Sequence, residues 1–213
     1  MLSTALTTFG KSTTITGLSA VTLSTHVAQD QGAAIADVLV GDYNPGGRLV
    51  QIWPKSLAHL PPMSEYNIRN GLTYLYNKEE PLYRFGYGLS YTRFDYSGLT
   101  LSAGSIARNV SAMVEEEVKN TGNREDHEIV QLYVQYPQLK VVRPLKELKG
   151  FSRVSLKPGE TKKVAVPLKA EALAWWNDKT NQWEVEEGPV NILVGASSAD
   201  IRLQKLLQIG NRK

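Results

Sequence analysis

The chain has 213 residues, 42% of them hydrophobic, so it can bury a sizeable core in one large domain or in one domain plus part of another. Its formal net charge is only +3, and Lys and Arg are scattered among acidic residues, which argues against a nucleic-acid or membrane-surface partner. The absence of cysteine excludes disulfides, thiol nucleophiles and thiolate metal sites.

Targeting signals are not recognisable in the sequence. No apolar run approaches the roughly 18 residues of a membrane span, and the first residues lack a basic stretch before their apolar ones. We therefore expect no membrane partner, and the localisation stays open.

The first half of the chain begins with a Ser- and Thr-rich stretch, residues 1–25, that predicts at most two strands, around 14–18 and 20–24. A foreign or disordered start is an equally open interpretation. An apolar helix is predicted over 31–40, with Gly41 as its C-terminal stop. A turn over 42–48 and a strand over 49–53, ended by Pro54, complete this first part.

Residues 54–94, which we call the strap, are rich in proline and tyrosine and predict a long surface loop that packs by its aromatic side chains. Its last segment, residues 84–94, carries Phe85, Tyr87 and Tyr91 with Gly86 and Gly88 between them. Because glycine lets the backbone approach its neighbours closely, this segment indicates a packed, rigid connector.

From residue 95 onward the pattern is that of short strands separated by turns. Strands are predicted at 96–101, 110–119, 128–136, 145–151, 161–168 and 189–194. Alternation sends Val130, Leu132 and Val134 into a core and Gln131, Tyr133 and Gln135 to solvent. The expected fold class is mainly β, an antiparallel two-sheet sandwich preceded by a remnant of an α/β domain and the long aromatic strap.

Few residues are candidates for catalysis or for metal binding. His26, His59 and His127 lie far apart in sequence and indicate neither a metal site nor a cofactor. The run Glu115 to Glu117 falls in a predicted strand, where an exposed edge explains it better than a catalytic pair.

The aromatic candidates are Trp175, Trp176 and Trp183, which flank one turn. At least one of them is expected to close an end of the core. They are also the only clustered candidates for stacking on a sugar.

The order of motifs resembles the C-terminal end of glycoside hydrolase family 3, the β-glucosidases and β-xylosidases. The resemblance covers roughly residues 28–203 and is carried by several motifs in the right order. Those motifs are Ala34 to Leu49, Gly71 to Tyr76, Pro81 to Phe94, Val118-Lys-Asn-Thr-Gly122, Val130-Gln-Leu-Tyr-Val134, Arg143-Pro-Leu-Lys-Glu-Leu-Lys-Gly-Phe151, Leu156-Lys-Pro-Gly-Glu-Thr161 and Gly195 to Arg202.

The resemblance implies three parts: residues 1–53 as a remnant of the α/β sandwich domain, 54–94 as the strap, and 95–213 as a fibronectin type III-like domain. Two departures stand out: Val50-Gln-Ile-Trp53 replaces the family's usual Pro-Val-Thr-Phe, and residues 1–25 match nothing expected before Gln29. Family members are often secreted or periplasmic retaining enzymes with a barrel-borne aspartate nucleophile and a second carboxylate. Both groups should lie upstream of residue 28, so we assign no catalytic residue here.

Three hypotheses follow. The first is a C-terminal fragment of a family 3 β-glycosidase, structural in role and inactive alone; Gly71 to Tyr76 slightly favours the β-xylosidase branch over the β-glucosidases. The second is a standalone carbohydrate-binding or protein-interaction module, and the third is activity restored by assembly with the missing upstream domains.

The incomplete α/β part also predicts an exposed apolar patch of Val38, Leu39, Leu49 and Ile52. We expect a symmetry mate, a swapped segment or residues 1–25 to cover it. A homo-oligomer is therefore among the expected partners.

Overall fold

The computed structural model describes residues 6–9, 21–24, 30–138 and 141–210, with side chains from residue 30 onward. Two sheets packed face to face form a sandwich. The larger sheet has five strands, in the spatial order β4 (Ser105–Ile106), β12 (Ile201–Ile209), β11 (Gly188–Gly195), β6 (Asp126–Gln135) and β7 (Glu147–Leu156). The smaller sheet has three, β3 (Phe94–Leu101), β5 (Ala112–Asn120) and β8 (Thr161–Leu168).

Outside the sandwich, the described residues form two hairpins, one α-helix and three 3₁₀ turns. The hairpins pair β1 (Leu6–Phe9) with β2 (Val21–Ser24), and β9 (Trp175–Asn177) with β10 (Gln182–Glu184). The helix is α1 (Gln31–Val40), and the 3₁₀ turns are Leu57–His59, Ile68–Asn70 and Ala170–Leu173. Within the described residues, each helix is too short or too polar to serve as a membrane-spanning segment.

The core between the sheets is aliphatic. Residues Val130, Leu132 and Val134 of β6 are at most 1% exposed and face Val164, Val166 and Leu168 of β8, which are at most 4% exposed. Burying one such side chain contributes about 1.5–3 kcal/mol relative to leaving it in water. The alternation predicted for β8 and for the inner face of β6 is therefore confirmed.

The six predicted strands all form. The sequence did not predict the long strand β12. Its inward side carries Leu203, Leu207 and Ile209 but also Lys205, while Leu206 on the outward side is 56% exposed. Lys205 lies near the rim, where its Nζ donates to Leu99 O at 3.3 Å. Lys205 at an inward position of the alternation and Leu206 at an outward one hide the period of two that a sequence pattern needs.

In the first part of the chain, the helix and one of the predicted strands are confirmed. Helix α1 has the predicted bounds, and Gly41 ends it in the left-handed region at φ 87°. The strand expected around 20–24 exists as β2, whereas the one around 14–18 lies outside the described residues, as does His26.

The strand predicted over 49–53 is wrong. Leu49 and Trp53 bond to Tyr87 and Tyr83 of the strap at isolated points and form no continuous ladder. The backbone between Tyr83 and Tyr87 forms a turn, in which Tyr87 N donates to Arg84 O, and only Gly86 N of this turn bonds back to Leu49 O.

Candidate functional site

The outer face of the larger sheet is covered by the strap. Tyr74 stacks on Phe85 with ring centroids 4.0 Å apart and meets Tyr133 edge-on at 6.4 Å. The Tyr74 hydroxyl accepts a hydrogen bond from Leu148 N at 3.0 Å. Burial raises the pKa of Tyr74 and of Tyr133, so both phenols stay neutral and act as packing and hydrogen-bonding groups.

Gln131 connects the sheet to the strap through its amide. Its Nε2 donates to Gly86 O at 3.1 Å and to Ala196 O at 2.6 Å, while its Oε1 accepts from the Tyr133 hydroxyl at 2.5 Å. Gln131 is 3% exposed and Tyr133 is fully buried, so the prediction that they face solvent is wrong. The strap takes the place of water on this face of β6.

Gly86 allows this close approach and yields a stability prediction. Its φ is 79°, and a Cβ at this position would overlap Gln131 Oε1 and lie 2.9 Å from the Tyr133 hydroxyl oxygen. We expect Gly86→Ala to lower the free energy of unfolding by about 2 kcal/mol in urea denaturation, from backbone strain plus overpacking. Gly104→Ala is the matched control, because nothing lies within 4 Å of a Cβ there. Equal stability of the two variants would contradict the proposed contact.

A buried ion pair closes one end of the sandwich. Arg48, in the turn before the strap, places Nη2 3.2 Å from Glu128 Oε2, and the two side chains are 10% and 4% exposed. Glu128 Oε1 accepts from the Tyr96 hydroxyl at 2.8 Å. Burial raises the pKa of the Glu128 carboxyl, although Arg48 and the Tyr96 hydrogen bond act against this rise. The cluster joins the turn, the larger sheet and the smaller sheet.

A groove of about 1000 Å³ runs beside this ion pair, between the strap and the sandwich. Four of its seven charged lining residues form two ion pairs with one another. Arg202 binds Asp200 at 2.8 Å and also lies over the Tyr96 ring at 4.8 Å, while Arg48 is paired with Glu128. The lining as a whole has four basic and three acidic side chains, so the groove shows no strong preference for an anion or a cation.

Helix α1 is fixed at its C-terminal end. The Tyr91 hydroxyl donates to Val38 O at 2.7 Å, and Arg124 Nη1 donates to Gly41 O at 2.6 Å. Val38 is 1% exposed and Leu49 is 4% exposed, so the predicted open patch is wrong for these two residues. Leu49 packs with Tyr83 and the strap aromatics around it instead. Ile52 is half-buried, and Leu39 is 69% exposed as expected.

Six exposed apolar side chains of the first part and the strap form what we call the outer apolar set. Two belong to α1, one to the segment after the turn and three to the strap, and each is at least 69% exposed: Leu39, Val40, Val50, Leu57, Met63 and Tyr66. Met63 is 98% exposed and Tyr66 is 86% exposed, so the expectation that the strap tyrosines pack fails for Tyr66. Large apolar side chains that are this exposed on neighbouring segments of the chain are typical of a surface that docks on another protein body.

The three candidate tryptophans lie on the β9–β10 hairpin and separate into two faces. Trp176 and Trp183 are paired across the strands with ring centroids 5.6 Å apart and planes at 70°, and they are 44% and 69% exposed. Trp175 is opposite Glu184 on the other face and is half-buried. None of the three belongs to the sandwich core, so the prediction that one closes its end is wrong.

Acidic and histidine side chains show no catalytic arrangement in the part of the chain described. Both Glu128 oxygens are engaged by Arg48 and Tyr96. Glu116 lies on β5, the central strand of the smaller sheet, and is 1% exposed, which corrects the expectation of an exposed edge. No three acidic or histidine side chains of residues 30–138 and 141–210 gather as a metal site. His59 is exposed, with Nε2 3.9 Å from Glu79 Oε2.

Comparison with known families finds two matches along the chain. Residues 9–91 match the glycosyl hydrolase family 3 C-terminal domain, and residues 128–198 match the fibronectin type III-like domain. The first match begins at residue 9, so the expectation that residues 1–25 resemble nothing in the family is wrong from that residue onward.

Individual relatives agree with these matches. The periplasmic β-glucosidase of Salmonella typhimurium is 42% identical over 182 residues, which are 80% of this chain and 24% of that protein. The xylan 1,4-β-xylosidase of Xylanibacter ruminicola is 37% identical over 88% of this chain and 21% of its own length. The crystal structure of a Bifidobacterium adolescentis β-glucosidase superposes with a TM-score of 0.82 at 33% identity, covering 90% of this chain and 30% of that one. The chain thus spans about a quarter of the curated relatives it matches.

Proposed function

The chain belongs to glycoside hydrolase family 3, whose C-terminal part it represents, and on this premise we propose that it stabilises a retaining β-glucosidase or β-xylosidase without hydrolysing substrate itself. In this proposal the nucleophile and the acid/base carboxylate belong to other parts of the enzyme. The division into residues 1–53, 54–94 and 95–213 is part of the same proposal.

Two unlike stretches of the strap are the observation that carries the proposal. Residues 74–86 are held on the larger sheet by the edge-on contact of Tyr74 with Tyr133 and by the hydrogen bond from Gln131 to Gly86 O. Residues 57–66 instead present members of the outer apolar set, among them Met63 at 98% exposure. A sandwich that holds residues 74–86 restricts where the apolar stretch 57–66 can lie, and preorganisation of this kind lowers the entropic cost of association.

The rest of the same enzyme is the occupant that we propose for this surface. The relatives are about four times longer than the matched region, so a large body is available to cover the outer apolar set. A standalone interaction module would have to leave side chains such as Val50, at 84% exposure, in water or find an unrelated partner for them. Self-association of the chain is the expected substitute when that body is absent.

A chimera tests this proposal. This chain would replace the matching 24% of the Salmonella β-glucosidase. We expect the chain alone to release nothing from p-nitrophenyl β-glucoside or β-xyloside, and the chimera to cleave at least one of them. Met63→Lys in the chimera should lower its melting temperature, because an apolar contact with the docked body is replaced by a charge.

Leu206→Lys is the matched control, because Leu206 is 56% exposed on the sandwich, outside the outer apolar set. It should leave the melting temperature of the chimera unchanged. Hydrolysis by the chain alone, or a Met63→Lys chimera as stable as the unsubstituted one, would contradict the proposal.

A further inference from the structure

We propose that the outward face of the β9–β10 hairpin, formed by Trp176 and Trp183, is a binding site for a β-linked glucan or xylan chain. The hairpin has an inverted pattern: Trp175, Asn177 and Glu184 are half-buried on its inner face, whereas the two other tryptophans point outward. Burial alone would favour the reverse for the other positions, with Trp176 and Trp183 inside and the amide and carboxylate in water. The outward indoles therefore require a reason other than the core.

The hairpin is held in this shape by its own polar bonds. Glu184 Oε1 accepts from Asn177 Nδ2 at 2.9 Å and from Thr180 Oγ1 at 2.7 Å. Asn177 Oδ1 accepts from Lys179 N at 3.0 Å, which fixes the start of the turn. The two rings are thus presented on a preformed tip, and a ligand would not have to order them.

The ring geometry leaves stacking surface available. In an edge-to-face pair, one ring uses only its edge, so the pair itself occupies neither of that ring's faces. Trp183 retains 69% of its accessible surface. The C–H bonds of a pyranose present a flat apolar face that an indole can cover, and the sugar's equatorial hydroxyls then point sideways towards hydrogen-bonding partners.

The surroundings supply such partners and argue against a protein as the occupant. The neighbouring turn residues are exposed and polar, namely Asp178, Lys179, Thr180, Asn181 and Gln182. Two indoles can bury no more than roughly 250 Å² each, well below the roughly 800 Å² per partner of a standard protein interface. Interface cores are also depleted of Lys and Asp. A sugar ring with polar edges fits this combination of features better.

The experiment uses the full chain labelled with ¹⁵N, whose four tryptophans give four indole N–H signals. Titration with cellopentaose and xylopentaose should shift the signals of Trp176 and Trp183 and leave that of Trp53, which lies just before the strap and packs beside Leu49 and Tyr83, in place. Maltopentaose, which is α-linked, should have a weaker effect. The choice of β-linked sugars rests on the proposed function, but binding is read without hydrolysis, so the chimera can fail while this site is confirmed.

Variants assign the site to the hairpin. Trp183→Ala should weaken the binding of the better pentaose by roughly tenfold, which corresponds to the loss of one aromatic contact. Phe151→Ala removes another aromatic side chain, 66% exposed on β7, and should leave the affinity unchanged. Trp183→Phe keeps a flat ring and should retain most of the affinity, so it serves as a second variant if the alanine change unfolds the hairpin.

Three results would overturn the proposal. The first is no shift of either hairpin signal at about 10 mM of any pentaose, a concentration that would detect even millimolar binding. The second is equal affinity of Trp183→Ala and the unsubstituted chain. The third is a shift of the same two signals with protein concentration in the absence of sugar, which would assign this face to a second copy of the chain.

Discussion

Replacing Arg48 with methionine is expected to lower the free energy of unfolding at pH 7 by about 3–5 kcal/mol. The substitution removes the cation 3.2 Å from Glu128 Oε2 and leaves a carboxylate that is only 4% exposed. Burial already raises the pKa of Glu128, and Arg48 is the main group that opposes this rise. Without Arg48 the carboxyl must either take up a proton on folding or remain charged in a dry site. The destabilisation should therefore be smaller at pH 5 than at pH 8.

Two further variants separate the buried charge from the loss of an arginine in general. Arg48→Met combined with Glu128→Leu should recover most of the stability, because no charge then remains buried. Arg84 lies in the strap and pairs with Glu80, but these side chains are 41% and 64% exposed. Arg84→Met should therefore unfold at nearly the same urea concentration as the unsubstituted chain, since exposed ion pairs contribute little. A double variant no more stable than Arg48→Met would show that Glu128 is not the source of the loss.

The fold was predictable wherever one face of a strand alone meets the core. The strand β8 is such a case, because Val164, Val166 and Leu168 are buried while the side chains between them remain in water. Helix α1 was equally predictable from the sequence, since Gly41 both ends the apolar run and adopts the left-handed conformation that the end of a helix favours.

The contacts of the strap were not predictable, because β6 is covered on both faces. Gln131 and Tyr133 alternate with Val130 and Leu132 as solvent-facing residues do, and nothing in the local pattern distinguishes a strap from water. Gly86 and Gly88 were the local signals of close backbone approach in this segment, but they do not indicate which partner approaches. Arg48 and Glu128 lie 80 residues apart, and neither residue type indicates a buried pair in isolation.

The aromatic site was located from sequence only in part. Three tryptophans around one turn indicated a cluster, but the register of the hairpin decides which of them share a face. That register is set by a four-residue turn whose geometry depends on Asn181 at φ 52° and on side-chain bonds of Asn177 and Glu184. A shift by one residue would have placed Trp175 outside and Trp176 inside.

The second large effect is expected from Glu116, and its sign depends on pH. Glu116 is 1% exposed in the core, and neither carboxylate oxygen has a hydrogen-bond partner among the described residues. Burial, with a smaller contribution from neighbouring Glu115, raises the pKa of this carboxyl from 4.5 to about 7. The folded state therefore binds the proton more tightly than the unfolded chain. The free energy of unfolding should fall by about 3 kcal/mol as the pH rises from about 4.5 to about 7, and Glu116 should cause no further loss above that range.

Glu116→Gln should remove this dependence, because an amide of nearly the same shape does not ionise. We expect the variant to be more stable than the unsubstituted chain at pH 8, by roughly 1–2 kcal/mol after the cost of an unpaired buried amide, and no more stable at pH 4.5. Urea denaturation at both pH values measures the difference. Glu117→Gln changes the next residue on the exposed side of the same strand and should leave the pH dependence in place. Parallel stability curves for Glu116→Gln and the unsubstituted chain between these pH values would show that the buried carboxyl finds a partner or water when it ionises.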